Sequence, residues 1–388
     1  MTQRVLCEML VGVSLFILPA LISAQTGNQA TQSWRLASPA YDLSFPRDHA
    51  AHPDYRIEWW YYTGTLYTQE GRRFGYQLTF FRVGVDAAPV NPSQWSVRDL
   101  HMAHFAITDV GRGVHRVAER LNRAGVGWAG ASTDSLDVWN EDWRVTATQR
   151  VHRLQAMDSN ENGRLLLDLE LESDTVPVLH GQQGFSQKGE DVGNASHYYS
   201  FTRLPTRGRL EVDGEVFEVT GTSWMDHEFG SSFLEADQAG WDWFSIQLND
   251  GTDLMVYTLR DSDGRTDVRS SGTVVTAEGI TYLESTDVRL LPRRRWTSLV
   301  SGAAYPVDWR IDIPSLGLQL DISAVLDAQE LVTAQSTGVT YWEGAVDAVG
   351  THGGVSVSGE GYLEMTGYAG APMSSVLREQ TWLPILTD

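Results

Sequence analysis

Apolar and polar residues alternate with a period of two through most of the chain, which predicts strands. The cleanest case is LLLDLELES, residues 165–173. There Leu165, Leu167, Leu169 and Leu171 share one face, and Leu166, Asp168, Glu170 and Glu172 share the other. Apolar on one side and acidic on the other is the pattern of an antiparallel sheet with one wet face. IEWWYYTGTLYTQEGRRFGYQLTFFR, residues 57–82, reads as a hairpin, with aromatic and β-branched strands around a Gln-Glu-Gly turn. In DLHMAHFAITD, residues 99–109, strand parity puts His101, Ala103, Phe105 and Ile107 on one face and Met102, His104 and Ala106 on the other. Residues 174–196 read as a loop rich in Gly and Gln. A weak helical pattern near Gly113–Asn122 is the exception in a chain that predicts an all-β fold built from hairpins.

The second half repeats the first. WDWFSIQLNDGTDLMVYTLR, residues 241–260, mirrors residues 59–82, with Arg260 ending its return strand where Arg82 ends the first. VSGEGYLEMTGY, residues 357–368, matches VDGEVFEVTGT, residues 212–222, and TYWEGAV, residues 340–346, precedes one as HYYSFTR, residues 197–203, precedes the other. Two short matches in the same order predict a tandem of related antiparallel β-barrels, with a boundary near residues 230–240. The resulting division is a leader at 1–24, a first domain at 40–232 and a second at 233–388. The leader reads as a secretory signal: Arg4, the apolar run Val11–Ala20, then small residues before Gln25. That run is shorter than the roughly 20 residues of a membrane span. Export to the periplasm or beyond is therefore expected, with no stable membrane insertion of the mature chain, while Glu8 in the basic start leaves an uncleaved anchor open as the alternative.

Composition narrows the partners. The net charge of -21 argues against nucleic acid, because phosphate contacts need Lys and Arg. A chain with 14 Trp and 36 Gly among 388 residues suits a β-rich protein with an aromatic cavity and a hydrophobic small-molecule ligand. The only cysteine, Cys7, falls in the leader, so the mature chain has no disulfide, thiolate metal site or Cys nucleophile. The sequence predicts no metal and no cofactor, and it leaves the oligomeric state open. His101 and His104 point to opposite sides of their strand, which suits no shared ion.

GTSWMDHEFG, residues 221–230, sets Asp226, His227 and Glu228 side by side among aromatics, with Trp241, Trp243 and Phe244 shortly after. Three adjacent ionisable groups in so apolar a neighbourhood cost free energy unless they are paired or used. Two readings stay open: an active site, or a hydrogen-bonded hinge between the barrels. If the segment is extended, Asp226 and Glu228 face one side and His227 the other. Glu58, beside Trp59 and Trp60, and its counterpart Asp242 are the next candidates, as pocket residues or as edge charges; Glu343 stands similarly. His101 reads as either a core histidine or a ligand contact. Arg82 and Arg260 read as partners in structural ion pairs. No G-x-S-x-G elbow supports a serine esterase.

IEWWYYTGTL, HMAHFAITD, SWMDHEFG, GWDWFSIQL, and YWEGAV with GYLEMTGY resemble the AttH-like family, over about residues 50–385 and in the same order. That family includes carotenoid 1,2-hydratases (hydroxyneurosporene synthases) and exported proteins labelled predicted secreted hydrolases. The resemblance implies two lipocalin-like β-barrels packed together. It also implies an apolar, isoprenoid- or lipid-like substrate and acid-catalysed hydration or hydrolysis. On that reading Asp226, or Glu228, supplies the proton if burial keeps it protonated. His227 orients the acid or activates water. Trp241, Trp243 and Tyr257 face the cation, with Glu58, Trp60 and His101 as further substrate contacts. The alternative from a different class is a non-catalytic lipocalin-like carrier of a hydrophobic molecule.

Overall fold

The computed structural model of the chain describes residues 33–374 apart from 94, 161, 162, 192 and 371. The leader expected at 1–24, with Cys7, lies outside the described residues, as does the end of the expected second domain. Among the described residues the regular elements are strands, together with two 3-10 turns at Arg47–His49 and Pro314–Leu316. The segment with a weak helical pattern is the strand Val114–Arg123, paired antiparallel with Asp99–Asp109. A neighbouring strand that satisfies the backbone overrides a marginal local preference. The loop read at 174–196 contains two short strands, Val178–Leu179 and Phe185–Gln187, which pair with Ala195–Val212.

Apart from a two-stranded ribbon of Arg295–Thr297 with Ala304–Pro306, the described strands form two antiparallel sheets, and both share one central order. In the first, the neighbours run Arg73–Gly84, Ile57–Tyr67, Glu215–Ser232, Ala195–Val212. In the second they run Asp253–Asp261, Gln238–Leu248, Val355–Met365, Val339–His352. The repeat seen in the sequence is thus a repeat of topology. Its ion pairs repeat too: Arg82 Nε lies 3.1 Å from Glu58, and Arg260 Nε lies 3.0 Å from Asp242. The short motif match at the hairpins does not align with the turns. The first hairpin turns at Asp213 and Gly214 (φ 53° and 85°), the second at Gly353 and Gly354 (φ 57° and 83°), so Ser358 and Gly359 lie inside a strand. Both are two-residue turns with positive φ at each position, the geometry that matches strand twist.

The first sheet curls until its ends meet. Asn122 Nδ2 donates to Asn140 Oδ1 at 2.8 Å, and the Arg120 guanidinium donates to the Asn140 carbonyl at 3.0 Å, nearly closing a barrel. Its interior is packed solid with Trp60, Tyr62, Phe74, Phe105, Trp143 and the inward leucines of Gly163–Glu172. A second core, with Phe244, Trp309 and Trp342, fills the other sheet. A third apolar cluster, with Tyr61, Tyr198, Trp224, Trp243, Tyr257 and Tyr362, joins residues of both sheets. The sheets approach so closely that a Cβ on Gly75 would stand 2.7 Å from the Tyr362 hydroxyl and 2.9 Å from Ala345 Cβ. This explains the burial along Glu215–Ser232. From Ser223 to Gly230 every residue is buried, one face in the first barrel and the other against the second.

Candidate active site

Strand alternation sorts the signature segment into two chemistries. Trp224, Asp226 and Glu228 point toward the second barrel, while Met225 and His227 point into the first. Between the barrels lies a cavity of about 160 Å3. Asp226, Glu228, Trp241, Trp243, Tyr257 and Glu343 line it, as six of the candidates singled out in the sequence. His227, Glu58, Trp60 and His101 do not line it.

Asp226 is held by three donors. Trp224 Nε1 donates to Oδ1 at 2.6 Å, the Tyr198 hydroxyl to Oδ2 at 2.6 Å, and the Ser200 hydroxyl also to Oδ1. Trp243 Nε1 in turn donates to the Tyr198 oxygen at 2.9 Å, tying the cradle to the second barrel. His180 Nε2 lies 2.6 Å from the Ser200 oxygen. Burial raises the Asp226 pKa to about 7, against the pull of these donors and with help from nearby Glu228. Near neutral pH this carboxyl therefore both holds and releases a proton.

Glu228 is paired instead. Lys188 Nζ stands 2.9 Å from its Oε1, and Ser196 donates to the same oxygen. Burial works against the Lys188 ammonium, but Glu228 and Tyr257 more than offset it, so its pKa lies above the lysine value. Lys188 also sits 4.4 Å from the Tyr257 ring centroid and 5.2 Å from that of Tyr198.

The second barrel contributes two more acids, neighbours across Val339–His352 and Val355–Met365. Glu343 is pushed well above the usual carboxylate range by burial and by Glu364, although the Tyr61 hydroxyl donates to its Oε1 at 2.5 Å. Its Oε2 is buried without a hydrogen-bond partner. Burial takes Glu364 to about 8, with a hydrogen bond from Trp241 opposing and the Asp226 and Glu228 charges assisting. Tyr61 stands opposite Asp226 in the strand register, and its hydroxyl reaches across to Glu343.

On the reverse face His227 belongs to a different network. Its Nε2 lies 2.9 Å from Glu58 Oε1, its Nδ1 lies 2.9 Å from the Tyr199 hydroxyl, and its ring stacks on Trp60 at 4.9 Å. Glu58 also meets His52 Nδ1 at 2.8 Å and Arg82 Nε at 3.1 Å. Burial opposes the Glu58 charge, but the two imidazoles and Arg82 win and hold it well below the usual range. The potential ligand atoms of His52, Glu58 and His227 lie within 4.8 Å of one another, the only such grouping among the described residues. Arg82 already neutralises Glu58 there, and each imidazole is bonded through both nitrogens. The arrangement is complete as a structural network on the face of the signature strand turned toward the first barrel. His101 sits beside Arg82 in the register, where burial lowers its pKa to about 4.

The parity that carries His101 inward carries His104 to the cavity, where it meets the Tyr341 hydroxyl at 2.7 Å and Ser336 at 2.9 Å. His104, Tyr61, Tyr198, Glu364 and Lys188 are the cavity residues the sequence reading passed over. Lys188 had a signal: it is the only lysine in the chain.

The family model described as AttH-like matches residues 36–368. By sequence the chain is similar to kievitone hydratase of Fusarium solani subsp. phaseoli, 20% identical over 241 residues. That match covers 61% of this chain and 66% of the hydratase, a little under two thirds of its length. By structure it is similar to an AttH-type protein of Nitrosomonas europaea, with 34% identity, a TM-score of 0.77, and coverage of 86% of this chain and 100% of that one. The kievitone hydratase of Nectria haematococca shares the fold at 17% identity and a TM-score of 0.64, covering 87% of this chain and 96% of that one. The packed β-barrels, the match along nearly all of the described chain and these relatives agree, and the chain belongs to the AttH-like family.

Proposed function

We propose that the cavity between the barrels adds water to a carbon–carbon double bond at one end of an apolar, isoprenoid-like molecule. The carrying observation is Asp226, a buried carboxyl in an aromatic cavity whose pKa of about 7 lets it exchange a proton at neutral pH. Hydration of an alkene needs an acid, a shielded place for the tertiary cation and controlled water. Asp226 and Glu364, raised by burial to about 7 and about 8, line this cavity, and Trp241, Trp243 and Tyr257 offer rings worth roughly 0.5–2 kcal/mol per cation contact. A cavity of about 160 Å3 is on the scale of one that holds benzene, so it takes the end of a ligand and leaves the rest outside. Kinship with a named hydratase supports addition of water over hydrolysis. The apolar leader supports export, and with it a reaction in the periplasm or outside the cell.

The test is incubation of the purified chain with kievitone, geraniol and a detergent-dispersed carotenoid in oxygen-labelled water. Organic extracts are then read by mass spectrometry. Gain of one labelled water by a probe supports hydration. A protein that retains an apolar molecule through purification but adds no water to it would establish the carrier class instead.

A further inference from the structure

Four carboxyl side chains surround the cavity, and their surroundings differ enough to separate their roles. Glu228 is paired with Lys188, whose Nζ lies 2.9 Å from its Oε1. Asp226 accepts from Trp224, Tyr198 and Ser200. Donors directed at both oxygens favour a carboxylate, since a protonated acid has one acceptor position fewer. Glu343 is the opposite case. Among the described residues it accepts a single hydrogen bond, from Tyr61 at 2.5 Å, and no cation pairs with it. Its second oxygen, Oε2, is buried and unpartnered, although the residue lines the cavity and is only 1% exposed. An ionised carboxylate with a bare oxygen in an apolar site costs several kcal/mol, whereas a carboxylic acid with its O–H on that oxygen leaves one donor free to point at a ligand.

We propose that Glu343, from the second barrel, is the proton donor of the hydration, and that Asp226, from the first, is the base that receives the proton of the attacking water. This rests on the hydration reading above and divides its acid–base work between the barrels. The alkene π pair takes the proton from Glu343 Oε2, forming the new C–H bond at the less substituted carbon. A tertiary cation results, and Glu343 becomes a carboxylate that the Tyr61 hydroxyl stabilises. A water oxygen bonds to the cation and gives its surplus proton to the Asp226 carboxylate. The sum is alkene plus water giving tertiary alcohol, with one proton moved from Glu343 to Asp226 and returned through solvent between turnovers. Burial raises both carboxyls, but three donors hold the rise of Asp226 to about 7 while Glu343, with one donor, is pushed well above the usual range, and pKa values set apart in this way let an acid and a base coexist at one pH. The Glu343 pKa, pushed up by burial and by Glu364, agrees with the donor role.

Two independent readouts test this on the full chain. Infrared spectra at neutral pH contain the carbonyl stretch of protonated carboxylic acids. Glu343→Gln removes one such band, and a spectrum unchanged by this substitution would overturn the assignment whatever the substrate. In turnover, with kievitone or geraniol as probe, Glu343→Gln lowers kcat by at least about 100-fold, the usual worth of a positioned acid. Glu343→Asp keeps part of the rate and moves the alkaline limb of the pH profile, which loss of a purely structural carboxyl does not do. If the wild-type chain hydrates a probe and Glu343→Gln hydrates it as fast, the donor assignment is wrong and the hydration reading stands. If the wild-type chain hydrates neither probe, the hydration reading falls, while the infrared band still decides whether Glu343 is protonated.

Discussion

Asp226 makes the clearest physical prediction, because its burial alters stability as well as chemistry. A carboxyl raised from 3.8 to about 7 must hold a proton in the folded chain that the unfolded chain releases. At about 1.4 kcal/mol per pKa unit, ionising it within the fold costs about 4 kcal/mol, with its three donors already counted. The sign follows from proton binding: where the folded state binds more protons than the unfolded one, stability falls as pH rises. The loss begins near pH 3.8 and is complete near pH 7. Asp226→Asn keeps the shape and the acceptor for Trp224 and Ser200 but carries no such penalty. Urea unfolding followed by Trp fluorescence, across this pH range, measures the difference between variant and wild type. The advantage of the variant should grow by up to about 1.4 kcal/mol per pH unit and level off above pH 7. Asp242, raised by burial to about 6, gives a slope of the same sign that cancels in the comparison, whereas Glu364, raised to about 8 partly by the Asp226 charge, adds a smaller part of the same sign near pH 8. A difference that does not change with pH would show that Asp226 ionises as an ordinary carboxyl, and the argument for its proton exchange would be lost.

Other substitutions separate the two faces of the signature strand. Lys188→Met strands the Glu228 charge in the cavity and should cost roughly 3–5 kcal/mol in urea unfolding, with part recovered by adding Glu228→Leu. His227→Gln breaks the network with Glu58 and Tyr199 and should lower stability while leaving the pH profile of probe turnover in place, since that ring faces the first barrel. Gly75→Val drives a side chain into Tyr362 and Ala345 and should destabilise by about 1–3 kcal/mol, read as a lowered Tm with unchanged far-UV circular dichroism.

Much of this architecture was legible in the sequence because period-two alternation survives wherever one face of a strand is dry and the other wet. The inward leucines of 165–171 are the plain example. The equivalence of Glu58 with Asp242, and of Arg82 with Arg260, was also legible, since each pair sits at the same place in a repeated hairpin. Parity alone separates His227 from Asp226 and Glu228. It fails to say which face is which where both are buried, and so His101 stood out when His104 is the one that reaches the cavity. The remaining cavity residues were hidden for another reason. Tyr61, Tyr198 and Glu364 lie on strands that look like ordinary core until two sheets are laid face to face, and Lys188 lies in a stretch that reads only as loop. Contacts between distant strands set the site, and no local pattern encodes them.

The central claim is that the cavity between the barrels adds water through Asp226. Its most direct test is the rate of labelled-oxygen incorporation into a hydrated probe by wild type and by Asp226→Asn, both shown to be folded. The account predicts one labelled oxygen per product molecule from the wild type and a rate lower by at least about 100-fold in the variant. Equal incorporation by the two proteins would contradict it.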